Sequence, residues 1–266
     1  MQRKIIDVHQ HLLAHDADAL AEEYARLGVC KAVLLGHPPS RTVGNNEAIL
    51  EASESYPELF VPFAGFDLDE MTPDDVKRLR QKGFVGLKFI GPRKQYNDVS
   101  YFPVYQRACE NGMPVLFHLG IVANRPPWTR CDCNLMRPIY LDHIARNLPE
   151  LTVIGAHLGN PWYEEATMSC RWNPNLFFDL SGSTLKKKSP EFLSSLLWWT
   201  ATTAYRSPDN TSAWEKILFG ADVGCDEIED VINDYEKLMS ALDLSAGIRD
   251  KIWYGTAAKL LGFPPD

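Results

Sequence analysis

No two cysteines in this chain stand in the Cys-x-x-Cys spacing of a redox or zinc motif, and no dense cysteine set marks a disulfide framework. The six that exist, at 30, 109, 131, 133, 170 and 225, are scattered, which points to a reduced, cytoplasmic setting. Cys131 and Cys133 flank Asp132 and can reach one ion, but ordinary loop thiols fit them better. Long apolar runs are missing too: none approaches the roughly 18 residues needed to span a bilayer, and no apolar signal segment precedes the first expected strand. Secretion and membrane insertion are therefore not expected. Positive charge is scarce, with 27 Lys and Arg against 35 Asp and Glu and a net charge of -8, which disfavours nonspecific binding to nucleic acid or anionic membrane. Small molecules are the expected partners. No repeat, low-complexity segment or Pro/Gly/Ser-rich linker divides the chain, so residues 1–266 are read as one domain.

What is present is a regular alternation. Apolar residues make up 45% and charged residues 23%, which excludes a disordered or fibrous chain. Short β-branched apolar runs at 4–9, 31–36, 60–66, 84–90, 114–119, 152–157, 176–181 and 216–222 predict strands. Amphipathic stretches between them predict helices over 16–28, 44–55, 72–82, 100–111, 138–147, 161–170, 189–204, 227–242 and 246–261. Glycine closes several of these, as in Lys82-Gly83 and Asn111-Gly112, and Thr72-Pro73-Asp74-Asp75 reads as an N-cap, an N1 proline and an acidic first turn. Eight βα units close a parallel barrel, so the expected fold is a (β/α)8 TIM barrel; about 250 residues is its usual size.

Chemistry concentrates at the expected strand ends. Asp7-Val8-His9-Gln10-His11 puts two imidazoles two residues apart on a strand, hence on one face and within reach of one ion. Neutral imidazole is the commonest ligand of zinc and similar metals, and a metal lowers the pKa of its water toward neutrality. Lys88 lies near the end of the fourth expected strand, His118 ends the fifth, His157 the sixth and Asp222 the eighth. In a barrel these positions meet at one mouth. His37 follows the second strand at the same rim, beside Pro38-Pro39. The irregular stretch 120–137 is long enough to be functional; its Arg125 and Arg130 suit a carboxylate and its Trp128 a lid. Asp179, on the seventh strand, suits either the orientation of a ligand or a backbone turn. His15 is read as solvated, His143 as packing or surface, Trp162 as opening a helix near the site, and Trp198-Trp199 as packing against the barrel or a partner subunit.

Taken together, Ile6-Asp7-Val8-His9-Gln10-His11, Val85-Gly86-Leu87-Lys88, Pro114-Val115-Leu116-Phe117-His118-Leu119-Gly120, Ala156-His157-Leu158-Gly159, Leu218-Phe219-Gly220-Ala221-Asp222 and the closing Tyr254-Gly255-Thr256-Ala257-Ala258-Lys259-Leu260-Leu261-Gly262 resemble the amidohydrolase superfamily. The branch concerned, the amidohydrolase-related barrels, contains hydrolases and non-oxidative aromatic acid decarboxylases. The resemblance implies a distorted barrel in which His9, His11, His118 and Asp222 hold one catalytic metal, most often zinc, with manganese or a second metal as alternatives. It gives His157 the part of general acid or base, with ligation of a second ion as the other option, and lets Asp222 accept a proton. Lys88 is left with three readings: a carboxylated lysine bridging two metals, a cation facing substrate, or a structural ion pair. A homodimer is a family-level expectation.

The leading reading is hydrolysis of a small anionic lactone, amide, ester or activated carbon-carbon bond, with His157, Asp222 and Lys88 catalytic and Arg125, Arg130, Trp128 and His37 binding substrate. Non-oxidative decarboxylation of an aromatic or unsaturated acid is the rival. A TatD-type nuclease also begins with His-x-His, but Lys88 stands where those barrels carry glutamate and the negative charge opposes DNA. A non-catalytic barrel holding metal for stability is the remaining class.

Overall fold

The computed structural model describes residues 4–12, 17–37, 45–124 and 128–264. Eight strands form one parallel sheet in chain order: β1 (Ile5–Gln10), β2 (Val29–Leu35), β3 (Phe60–Gly65), β4 (Gly86–Phe89), β5 (Val115–Phe117), β6 (Val153–Gly155), β7 (Leu176–Asp179) and β8 (Ile217–Leu218). Nearly every strand residue is buried, because the barrel interior covers one face and the helices the other. This explains why the strands read as continuous apolar runs rather than as alternating ones. Between them lie α1 (Ala17–Leu27), α2 (Asn46–Ser55), α3 (Pro73–Gln81), α4 (Phe102–Glu110), α5 (Ile139–Asn147), α6 (Tyr163–Trp172), α7 (Ser183–Lys187), α8 (Pro190–Leu196), α9 (Ile228–Ala241), α10 (Ala246–Asp250) and α11 (Thr256–Leu261). A π-helical turn, Lys251–Gly255, joins the last two, so the helix expected over 246–261 is three segments. No helix among the described residues is long and apolar enough to cross a membrane.

Three expected elements are shorter for identifiable reasons. The helix read over 189–204 stops at Leu196. Beyond it Thr203 gives both its amide and its hydroxyl to the Thr200 carbonyl, and Trp199 turns into the core, with its carbonyl accepting from Ala213 N. A β-branched, hydroxyl-bearing run competes with helix in just this way. Trp198 stays 44% exposed beside it. The strand read over 216–222 holds ladder geometry only to Leu218, since the chain then turns toward β1, and β6 stops at Gly155, where His157 and Leu158 adopt left-handed backbone.

The seam between β8 and β1 closes the barrel. Val8 N donates to Phe219 O at 3.0 Å and Asp222 N to His9 O at 2.8 Å. Asp7, fully buried, reinforces the seam: its Oδ1 accepts from His9 N (2.9 Å) and Ala221 N (3.1 Å), and its Oδ2 from the Tyr24 hydroxyl of α1 (2.7 Å). Burial pushes the Asp7 carboxyl up to about 6, against the pull of these donors. At the foot of β8, buried Lys216 donates to Pro174 O (2.8 Å) and Asp209 Oδ2 (3.2 Å), tying that strand to the entrance of β7.

Asp7→Ala strands three buried donors, each worth about 1–3 kcal/mol. Urea denaturation is expected to show a loss of about 3 kcal/mol or more, whereas Tyr24→Phe, which leaves the carboxylate two donors, should lose only about 1 kcal/mol. Asp209 supplies a pH signature. Burial raises its carboxyl, but Thr211, the Lys216 ammonium and Ser207 outweigh this and hold it at about 2. Its folded value lies below the ordinary one, so its contribution to stability is present above pH 3.8 and lost as pH falls toward about 2. Asp209→Asn should therefore be less stable than the parent at neutral pH, with the gap closing in acid when the two are denatured side by side.

Candidate metal centre

Three imidazoles converge on one carboxylate at the C-terminal mouth of the barrel. From β1, His9 approaches Asp222 Oδ1 with Nε2 at 3.6 Å, and His11, just past the strand, does so at 3.7 Å. From the turn after β6, His157 Nε2 lies 3.7 Å from Asp222 Oδ2. Each ring has its other nitrogen against an oxygen that can accept. His9 Nδ1 meets Asp179 Oδ2 at 2.9 Å, His11 Nδ1 meets Leu35 O at 3.0 Å, and His157 Nδ1 meets Ser181 Oγ at 2.8 Å and Ser181 O at 3.3 Å. A carboxylate or carbonyl oxygen requires N–H on that nitrogen, so hydrogen bonding assigns the proton to Nδ1 and leaves the Nε2 lone pairs facing Asp222.

Burial disfavours the charged form of two of these rings. Burial pushes His11 well below the ordinary imidazole value, with the charges of His37, Lys88 and His9 adding to the effect. Burial also lowers His157, although Asp222 opposes it. Lone pairs facing a carboxylate, with no proton between them, form a set of acceptors that a shared cation stabilises. The donor set, imidazole nitrogen with carboxylate oxygen, is the one zinc and manganese take.

The backbone is built for this convergence. Gly220 lies where a Cβ would come 3.0 Å from both His9 Cβ and Asp179 Cβ, so a larger residue there would press on both of these side chains. Asp222 follows with φ 50°.

Asp179 serves as the hub beneath. Besides His9 Nδ1 it accepts from His157 N (2.9 Å), Ser181 N (3.0 Å) and Ser181 Oγ (2.5 Å). Burial alone would raise its carboxyl, but His9, His157 and Ser181 hold it well below the ordinary range. Ligand atoms of His9, His157 and Asp179 lie within 4.8 Å of one another, as do those of His9, His11 and Asp222. The first set is already occupied by hydrogen bonds; the second opens toward the mouth, where Asp222 is 27% exposed.

The remaining expected residues fall as follows. Lys88 is fully buried with Nζ 3.4 Å from His9 Nε2, and burial brings its ammonium down to about 8 against the pull of Asp222 and Asp179. His118 packs against His157 at 5.0 Å between ring centroids, outside both ligand sets, and its buried Nε2 has no hydrogen-bond partner among the described residues. His37 lies parallel to His11 at 4.7 Å, with Trp128 5.9 Å beyond. Arg130 is exposed; Arg125 and His15 lie outside the described residues. Trp162 stacks under Arg137 at 5.3 Å, and His143 is exposed near Phe102. Ser181 escaped the sequence reading, although Asp179-Leu180-Ser181 repeats the i, i+2 spacing that drew attention to His9 and His11.

Residues 6–263 match the family model described as Amidohydrolase. The chain belongs to the amidohydrolase family. No curated protein sequence matches it. Among solved structures, this amidohydrolase is similar to a probable 2-pyrone-4,6-dicarboxylic acid hydrolase from Acinetobacter baumannii with citric acid bound, at 16% identity and TM-score 0.66 over 99% of this chain and 100% of that one. It is similar to a dihydroxybenzoic acid decarboxylase from a Polaromonas species, with bound manganese and the inhibitor 2-nitroresorcinol, at 15% identity and TM-score 0.69 over 98% and 97%. A Burkholderia multivorans amidohydrolase with bound zinc aligns at 15% identity and TM-score 0.68 over 98% and 99%. At such identities the likeness is one of fold.

Outer partners of metal-ligating histidines typically carry a 10–100-fold share of affinity. Asp179→Asn, which removes the charge behind His9 and leaves Asp222 untouched, is expected to weaken zinc binding by about that factor in a competition titration against a chromogenic chelator.

Proposed function

We propose that this amidohydrolase is a metal-dependent hydrolase of a small anionic substrate, such as a lactone, amide, ester or activated carbon-carbon bond. The observation that carries the reading is the set of three Nε2 lone pairs turned toward the Asp222 carboxylate. His9, His11 and Asp222 hold one divalent ion, for which zinc is our choice, and His118 joins them through its unpartnered Nε2. Bound there, the ion supplies Lewis acidity toward the scissile carbonyl and lowers the pKa of water.

The chain's own residues do the rest. His157, neutral and with its lone pair at Nε2, takes a proton from the attacking water and returns it to the leaving group. Asp222, with an oxygen near His157 and another near the two ligand rings, shares that proton movement. Lys88, buried against His9, stabilises negative charge that develops on the substrate. His37 and Trp128, beside His11, bind the substrate, and Arg130 and Arg125 pair with its carboxylate.

A second reading, non-oxidative decarboxylation, is favoured by one observation: the Lys88 ammonium lies 3.4 Å from His9 Nε2, on the side of the ring turned into the site, where a substrate carboxylate would find its counter-ion. In that case His157 delivers a proton to carbon.

Elemental analysis of the purified protein should find one transition-metal equivalent, lost in His9→Ala together with turnover. His157→Gln should keep the metal and lose about 10²–10⁴ in kcat. A panel containing 2-pyrone-4,6-dicarboxylate and 2,6-dihydroxybenzoate separates the readings, since hydrolysis incorporates oxygen from ¹⁸O-water whereas decarboxylation releases CO₂. Protein that binds no metal and turns over no carboxylate, lactone or amide would overturn both.

A further inference from the structure

We propose that Ser181 is a positioning residue that fixes the proton of His157 on Nδ1 and thereby keeps the Nε2 lone pair directed into the site. The inference deepens the acid-base role proposed for His157 and rests on it. Ser181 is fully buried just beyond β7, and its hydroxyl has two close neighbours, Asp179 Oδ1 at 2.5 Å and His157 Nδ1 at 2.8 Å, with His9 Nδ1, which is already held by Asp179 Oδ2 at 2.9 Å, farther off at 3.5 Å. It owns a single proton.

The carboxylate decides where that proton goes. Asp179 Oδ1 already accepts from two backbone amides, those of His157 and Ser181, and an ionised carboxylate has nothing to donate. Were the Ser181 proton turned toward His157, two oxygens would face each other through lone pairs at 2.5 Å, a strongly repulsive arrangement. The hydroxyl therefore donates to Asp179 and presents a lone pair to the ring. His157 Nδ1 must then carry hydrogen, and the Ser181 carbonyl at 3.3 Å imposes the same demand. Gly182 follows at φ 70°, a left-handed conformation that favours glycine, and so brings the Ser181 carbonyl and hydroxyl to the same ring.

One carboxylate thus sets two rings. Asp179 Oδ2 fixes the tautomer of His9 directly, and Oδ1 fixes that of His157 through one hydroxyl. Both rings are held with their lone pairs on the same side, toward Asp222.

The test is the tautomer itself, read by long-range ¹H–¹⁵N correlation on ¹⁵N-histidine-labelled full-length protein, zinc-loaded and metal-free. His157 resonances are identified by their loss in His157→Gln. The expected result is a protonated Nδ1 and an unprotonated Nε2, well separated in ¹⁵N shift in both forms, and in metal-free Ser181→Ala a separation that narrows as the second tautomer becomes populated. A wild-type ring protonated at Nε2 in the metal-free protein, or a Ser181→Ala spectrum with the separation unchanged, would overturn the proposal. The wild-type spectrum is decisive even if the variant does not fold. Absence of metal or turnover would count against the proposed function alone, because this measurement needs neither.

Discussion

The rest of the structure depends on the seam where the last strand meets the first. A barrel closes only if its terminal strands meet, and here both are interrupted by polar groups that cannot be left unpaired in a dry interior. The Asp7 carboxylate resolves this by accepting from His9 N on one side and Ala221 N on the other, with the Tyr24 hydroxyl completing its shell. Because His9 and Ala221 are hung on one oxygen, the ligand pair His9 and His11 and the carboxylate of Asp222 are held in register. Closure of the fold and assembly of the site are one event.

From that register the electrostatics follow. Burial disfavours charge on the His11 and His157 imidazoles, and acceptors placed behind these rings and behind His9 decide which nitrogen carries the proton. The outcome is a cluster with strong appetite for a cation and little solvent to satisfy it. Lys88 partly answers this, and its lowered ammonium value reflects the same dry surroundings.

Much of this was legible in the sequence for a simple reason: apolar runs and their polar end residues are local features. The eight strands and the meeting of His9, His11, His157 and Asp222, with Lys88 beside them, follow from strand-end position in a closed barrel. What escaped depends on contacts between distant segments or on backbone departures. Asp179 could be assigned to ligand orientation or to a turn, and it does both, since its two oxygens serve different elements. Ser181 acquires meaning only through a ring 24 residues earlier in the chain. His118 stands one residue past β5, with its ring packed on His157 and its buried Nε2 without a hydrogen-bond partner among the described residues, so strand-end position places it at the rim while its part in holding an ion rests on the proposal above. The helix expected past Leu196 failed where threonine hydroxyls and a buried Trp199 outcompeted periodicity.

Backbone strain argues independently for where function lies. Five described residues other than glycine have positive φ: His157, Leu158, Asn210, Asp222 and Asp243. Such conformations cost about 1–3 kcal/mol each and persist only where surrounding contacts enforce them. Three of the five sit at the ends of β6 and β8, and their contacts are visible: Thr184 Oγ1 and Asn160 N donate to the His157 carbonyl, Asp179 accepts from the His157 amide, and the His9 carbonyl accepts from the Asp222 amide. A relaxed strand would point alternate side chains into the barrel and outward. The left-handed residues instead turn His157 and Asp222 toward each other across the mouth, bringing Nε2 and Oδ2 to 3.7 Å. Packing alone gives no reason to hold two ionisable side chains in costly backbone with their acceptor atoms opposed. The proton transfer proposed for this pair does.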